Sequence, residues 1–225
     1  MGYPFAFVFD WRAFWDSRGP LSEGLVVTIE LTVLTMALAI VGGLTLALLR
    51  LSRWNFIRIG ATGFVEFFRA TPLLLQVYWF YFVLPATFGI RLSAFLTGLV
   101  GLTLNVSAFN SETFRAGILS IRPGQRMAAQ ALGMTSTQVF VRVILPQAAR
   151  RVIPPLASTW VSLFKDTSLV STIAVADLSF KALVLRTQNY RVLEVLTAMA
   201  LIYVGLGYPQ ARLSEFIYKR FRVVE

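Results

Sequence analysis

The sequence predicts an all-α, polytopic membrane protein with about five transmembrane helices, and three observations carry that expectation. Hydrophobic residues make up 56% of the 225 and charged residues only 14%, where a soluble domain carries roughly a quarter charged residues. With so few solvated groups and a mean hydropathy of +0.68, much of the surface must face lipid. The apolar residues also fall into long blocks, each able to cross a ~30 Å hydrocarbon core. Finally, the 21 Lys and Arg exceed the 11 Asp and Glu, giving +10, and the basic residues sit between those blocks. That placement fits topology signals facing anionic lipid. Membrane lipid is therefore an expected partner and nucleic acid is not.

The elements follow in chain order. Met1 to Pro20, rich in Phe and Trp and carrying Asp10, Arg12, Asp16 and Arg18, reads as an interfacial segment and not as a signal peptide. Leu25 to Leu49 is the first span, with Glu30 as its single charge and Arg50, Arg53 and Arg58 just beyond. Ile57 to Pro85 is 29 residues, ~43 Å if wholly helical, too long for one perpendicular crossing. It is divided into an inner-face segment, Ile57 to Ala70, and a crossing that begins at Thr71. The third span runs from near Arg91 toward Glu112. A polar loop from Arg115 to Arg151 precedes a fourth span, which the Pro154–Pro155 pair would open from its first turn. That span extends to about Asp177, with Lys165–Asp166 in its middle. A fifth, Val192 to Leu213, ends in the basic tail Lys219, Arg220 and Arg222.

Five spans put the termini on opposite sides. Thirteen basic residues share one side: Arg50, Arg53, Arg58, the six between Arg115 and Arg151, Arg212, Lys219, Arg220 and Arg222. Six share the other: Arg12, Arg18, Arg91, Lys181, Arg186 and Arg191. The positive-inside rule then puts the N-terminus outside and the long loop and C-terminus in the cytoplasm.

Within that loop, Gly124 to Gly133 reads as a short helix, with Pro123 at its start and Gly133 in the left-handed position at its end. Thr135-Ser136-Thr137-Gln138 has the spacing of a capping box and opens a second helix. Val139, Phe140, Val143 and Ile144 share one face of it, with Gln138 and Arg142 turned away. Periodicity alone leaves two readings open, an amphipathic element lying on the membrane and a compact helical knob.

The residues themselves favour the knob. Met127-Ala128-Ala129, three residues, Gly133, nine residues, then Val143-Ile144-Leu145-Pro146 resembles the EAA loop of bacterial ABC importer permeases. That pattern is Glu-Ala-Ala, three residues, Gly, nine residues, Ile, one residue, Leu-Pro; here Met127 replaces the Glu and Val143 the Ile. Phe67 to Gln76 (Phe-Phe-Arg-Ala-Thr-Pro-Leu-Leu-Leu-Gln) is similar to the Phe-Arg-Gly-Thr-Pro-Leu-Leu segment of the polar amino acid branch, the histidine/glutamine/arginine-type permeases. Ala108-Phe109-Asn110-Ser111-Glu112 resembles its Ala-Tyr-x-x-Glu, with Phe109 for Tyr. Leu145 to Ala148 and Lys165 to Leu169 also fit, so the resemblance covers about residues 22 to 220.

The resemblance implies a type I ABC importer permease fold, one transmembrane permease domain over 1–225, with a coupling loop at about 121–147. It assigns Gly124, Met127, Ala128, Ala129, Gly133, Leu145 and Pro146 to coupling with ATP-binding cassette ATPase subunits. It also implies a second permease subunit, identical or homologous, an external solute-binding protein, and a location in the bacterial inner membrane. Met127 in place of the carboxylate raises the expectation of a non-identical permease partner that retains the Glu.

Charged groups at membrane depth are expensive and therefore candidate functional groups. Lys165, ~15 Å beyond Pro155, and Asn105 both fall near the midplane. A zwitterionic amino acid needs a cation for its carboxylate and an anion or amide for its ammonium. Lys165 with Asn105, Glu112 or Asp166 would supply them, with Thr167 and Ser168 adjacent. The competing reading is a structural Lys165–Glu112 ion pair, with Thr167 and Ser168 bonded to their own helix.

No catalytic residue, metal site or cofactor is expected. The chain has no Cys and no His, and no GxxxxGK[ST] motif, so ATP hydrolysis is assigned to a separate subunit. The alternative function is an ion-coupled secondary transporter or channel for a small polar solute. A membrane-embedded hydrolase using Ser162 and Lys165 ranks third.

Overall fold

The computed structural model describes residues 9–221. Met1 to Val8 of the aromatic N-terminal segment and Arg222 of the basic tail lie outside them. Asp10 caps α1 (Trp11–Asp16), its carboxylate accepting from the amides of Arg12 at 2.9 Å and Ala13 at 3.3 Å. The chain continues into α2 (Arg18–Arg50). The helical run thus begins earlier than the apolar block, and the two helices together run 40 residues. Small residues let α2 approach α6 (Ala94–Leu119) closely: a Cβ on Gly43 would lie 2.6 Å from that of Asn110. Close backbone approach at small residues is how helices associate in lipid, where apolar surface alone gives no preference for a partner. Asn110 adds a cross-helix bond, Nδ2 donating to the carbonyl of Ala39 at 3.3 Å.

The second apolar block breaks where it was divided. After α3 (Asn55–Ala70) the axis turns by 105° into the helix Leu73–Phe88, which comprises α4 (Leu73–Tyr78), a π turn and α5 (Leu84–Phe88). Pro72 has no amide hydrogen, so the carbonyl of Phe68 loses its intrahelical donor. Two side chains replace it: Gln76 Nε2 donates to that carbonyl at 2.8 Å and Asn105 Nδ2 at 3.2 Å. Gln76 also bonds the carbonyl of Thr71 at 3.1 Å and its hydroxyl at 2.7 Å. Irregular backbone at membrane depth persists only where such groups are satisfied internally.

The helix pair expected in the polar loop forms. It contains α7 (Pro123–Ala131), Gly133 at φ +79°, and a capping box in which Thr135 Oγ1 accepts from Gln138 N while Gln138 Oε1 accepts from Thr135 N. The stretch after it requires correction. α8 (Ser136–Val139), a π turn over Phe140–Ile144 and α9 (Leu145–Asp166) run on as one helix. Pro154 and Pro155 therefore lie inside that helix and do not open it. The carbonyls they leave without intrahelical donors belong to Arg150 and Arg151, in the stretch read as cytoplasmic, where water can satisfy them.

A second correction concerns the end of this span. Lys165 and Asp166 close the regular helix; a 3₁₀ stretch, Thr167–Ile173, follows and ends at Ala174 in the left-handed region (φ 62°). Asp177 then caps α10 (Leu178–Asn189), accepting from Phe180 N at 2.9 Å. The N-terminal part of α2 fits tightly here, for a Cβ on Gly24 would lie 2.7 Å from the carbonyl oxygen of Asp177. α11 (Val192–Phe221) returns against α9, held by Trp160 Nε1 donating to Gln210 Oε1 at 3.0 Å and by the edge contact of Phe164 with Tyr203. Among the described residues three helices are long and apolar enough to cross a membrane, and up to five spans result if each bent pair counts as one.

Candidate functional site

Two cavities flank the end of α9. One, of about 320 Å³, lies between α6 and α9 and is lined by Asn105, Val106, Phe109, Ser158, Thr159, Ser162, Leu163 and Asp166. The other, of about 490 Å³, lies between α9 and α11 and is lined by Lys165, Ser168, Tyr203, Val204, Gly207, Tyr208 and Ala211. The structure thus brings Asn105 and Asp166 together and puts Lys165 and Ser168 on the adjoining face. This is the divergence that consecutive helix positions impose. Lys165 is exposed, and Asp166 half-buried.

Thr167 is fully buried, and its hydroxyl donates to the carbonyl of Phe164 at 2.9 Å. It serves its own helix, as the competing reading of that residue had it. Asn105 has a divided role. Its amide nitrogen braces the α3–α4 elbow, donating to Phe68 O and to Gln76 Oε1 at 3.1 Å, while the residue also lines the cavity.

The Lys165–Glu112 ion pair is not present. Glu112 belongs instead to a cluster that joins α2, α3 and α6, accepting from Arg50 Nη1 at 2.7 Å and Arg115 Nη2 at 2.6 Å. Arg69 Nη1 lies 3.5 Å from Glu66 and 3.9 Å from Glu112. Arg50 is nearly buried, its side chain 7% exposed, and Glu66 stands 3.9 Å from it. Sequence reasoning treated Arg50 as a topology signal and missed its pairing, because Glu112 follows it by 62 residues.

Ser158 and Thr159, missed in the α6–α9 cavity, do carry a sequence signal. Asp166, Ser162, Thr159 and Ser158 recur at helical spacing, so one face of α9 is polar in an otherwise apolar span. On the loop's helix pair, Gly124, Met127, Ala128 and Leu132 recur at three- and four-residue steps and are all exposed, whereas Ala129 is buried. Gly133, Leu145 and Pro146 are exposed as well. Leu132, 84% exposed, was not among the expected coupling residues.

Broken crossings around a polar mid-span cavity, with a protruding helix pair at the end that holds the Arg50–Glu112 cluster, make up the architecture of a membrane permease. The chain belongs to the family described as binding-protein-dependent transport system inner membrane component, whose profile matches residues 39–223. It is 40% identical over 210 residues to the L-cystine transport system permease protein of Bacillus subtilis, covering 93% of this chain and 88% of that one. It is 36% identical over 217 residues to the glutamine transport system permease protein of Escherichia coli, covering 96% and 99%. A crystal structure of an amino acid ABC transporter with histidines superposes with a TM-score of 0.89 at 32% identity, over 95% of this chain and 100% of that one. The fold is also that of the inward-facing methionine ABC transporter, with a TM-score of 0.76 at 19% identity over 96% and 100% of the two chains.

Proposed function

We propose that this chain is the permease subunit of an ATP-driven polar amino acid importer and forms the translocation pathway by alternating access with a second permease. The observation that carries the proposal is the polar cavity of Asn105, Ser158, Ser162 and Asp166 beside an exposed Lys165 in the same apolar span. Asp166 and the hydroxyls suit an α-ammonium group, and Lys165 suits an α-carboxylate. Relatives named for cystine, glutamine and octopine transport support an amino acid as cargo. A lysine at that depth is costly against lipid, so a water-filled pathway or the second permease is expected to cover it.

The face of Gly124, Met127 and Ala128, with Gly133 at the bend and Leu145 and Pro146 beyond it, would dock on an ATP-binding cassette ATPase subunit. Ala129, buried beneath, would hold the pair rigid, and a rigid pair transmits a rigid-body movement. A solute-binding protein would deliver cargo at the opposite end. The N-terminus would lie outside and the C-terminus in the cytoplasm of the bacterial inner membrane. Met127 favours a partner permease that keeps the family's Glu.

Lys165→Met tests the site, because it keeps chain length and apolar packing while removing the charge. Uptake is expected to collapse while basal ATP hydrolysis by the assembled complex persists. Normal uptake by a Lys165→Met complex would remove Lys165 from the pathway.

A further inference from the structure

The groove between α6 and α9 continues past the mid-span cavity. A further cavity of about 530 Å³ lies toward the inner end, lined by Arg69, Phe109, Glu112, Thr113, Ala116, Gly117, Ser120, Arg151 and Pro155. Asn105, Phe109, Glu112, Ala116 and Ser120 step along one face of α6 at three- and four-residue intervals. Arg151, Pro155, Thr159, Ser162 and Asp166 do the same along α9. The two antiparallel faces enclose a single track from mid-span to the cytoplasmic end. One side chain belongs to the lining of both cavities: Phe109.

We propose that Phe109 is the inner gate of this track, a ring that closes the mid-span cavity from the cytosolic one, and that Arg69 positions it. The proposal rests on the permease reading of the groove. Phe109 is 46% exposed, free enough to turn, and the guanidinium carbon of Arg69 lies 5.7 Å from its ring centroid. That cation–π contact holds the ring from the cytosolic side. Across the groove, Pro154 and Pro155 remove two amide donors from α9 beside the gate, so the opposing wall is the part of that helix that bends at least expense. Arg69 takes its orientation from Glu66 and Glu112, which links the gate to the ion cluster joining α2, α3 and α6. An aromatic ring suits this task because an apolar constriction blocks a zwitterion by excluding its water.

The chain contains no cysteine, so an introduced thiol is its only one, and labelling is read on this subunit alone after the assembly is separated by electrophoresis. Ser162→Cys places it in the mid-span cavity and Ala116→Cys in the inner one. The assembled transporter, in inside-out membrane vesicles without nucleotide, is treated with a membrane-impermeant cationic methanethiosulfonate. Ala116→Cys is expected to react quickly in every background; Ser162→Cys, exposed in the single chain and covered by the second permease in the assembly, is expected to react slowly while Phe109 is present. If the open state holds about a tenth or less of the population, Phe109→Ala raises the Ser162→Cys rate about tenfold or more. Phe109→Tyr keeps the ring and the slow rate. Arg69→Gln raises the rate by about threefold, the factor corresponding to a partly exposed cation–π contact.

Phe109→Val, which keeps part of the apolar volume, serves if Phe109→Ala does not assemble, and is expected to act in the same direction. A Ser162→Cys rate equal to that of Ala116→Cys with Phe109 intact overturns the gate, as does a slow rate unchanged in Phe109→Ala and Phe109→Val. Either result leaves ATP-dependent uptake by the unmodified transporter intact, so failure of the gate is distinct from failure of the permease reading.

Discussion

Glu112→Gln should destabilise the protein through Arg50, not through Lys165. The change keeps the size of the side chain and one acceptor oxygen but removes the charge that faces Arg50 at 2.7 Å and Arg115 at 2.6 Å. Arg115 and Arg69 are each a third exposed and can turn to water, whereas Arg50 is left nearly buried with only Glu66, 3.9 Å away. Stranding a buried charge costs about 3–5 kcal/mol. The exposure of Glu112 and the residual Glu66 reduce that here to about 2–3 kcal/mol. By the scaling for a chain of this length the loss is about 4–12 °C in Tm, read from thermal denaturation of the purified assembly. Adding Arg50→Met removes the stranded cation and should recover at least half of the loss. Adding Lys165→Met should recover none, because Lys165 lines the α9–α11 cavity. A Tm for Glu112→Gln within a degree of the parent, or recovery with Lys165→Met, would refute the reasoning.

Gln76→Leu should loosen the α3–α4 elbow by about 1–3 kcal/mol, since it deprives the carbonyls of Phe68 and Thr71 of a buried donor. A lower Tm of the purified assembly is the readout, and an unchanged Tm would count against the brace. Gly133→Asp places a charged side chain at φ +79° on the coupling bend, a local strain of about 1–2 kcal/mol. ATPase co-purification and uptake should both fall while membrane insertion survives; normal co-purification with normal uptake would contradict the assignment.

Much of this was legible in the sequence, for identifiable reasons. The split of the second block followed from its length, and Pro72 is the residue that breaks it. The capping box at Thr135 and the left-handed turn at Gly133 are local devices, set by a few adjacent residues. The misplaced features are non-local. Pro154 and Pro155 suited a helix start, yet the π turn before them carries the helix through from Ser136. The 3₁₀ stretch after Asp166 was hidden because Thr-Ser-Leu-Val-Ser-Thr-Ile is as apolar as the helix it follows, and its end at Ala174 lacks the glycine that marks such turns. The Arg50–Glu112 pairing depends on which faces of α2 and α6 meet, and it is the glycines at 42 and 43 that set this. Phe109 stood in the motif only as a replacement for tyrosine; its place between two cavities emerged once α9 was laid against α6.

ATP-dependent uptake by the purified assembly in proteoliposomes tests the central claim most directly. The permease subunits, their ATPase and a solute-binding protein are combined with a radiolabelled polar amino acid. The proposed function predicts accumulation against a gradient that requires ATP and stops when the ATPase is inactivated. Uptake that persists with the inactive ATPase, driven by an ion gradient alone, would contradict it and favour the secondary-transporter alternative.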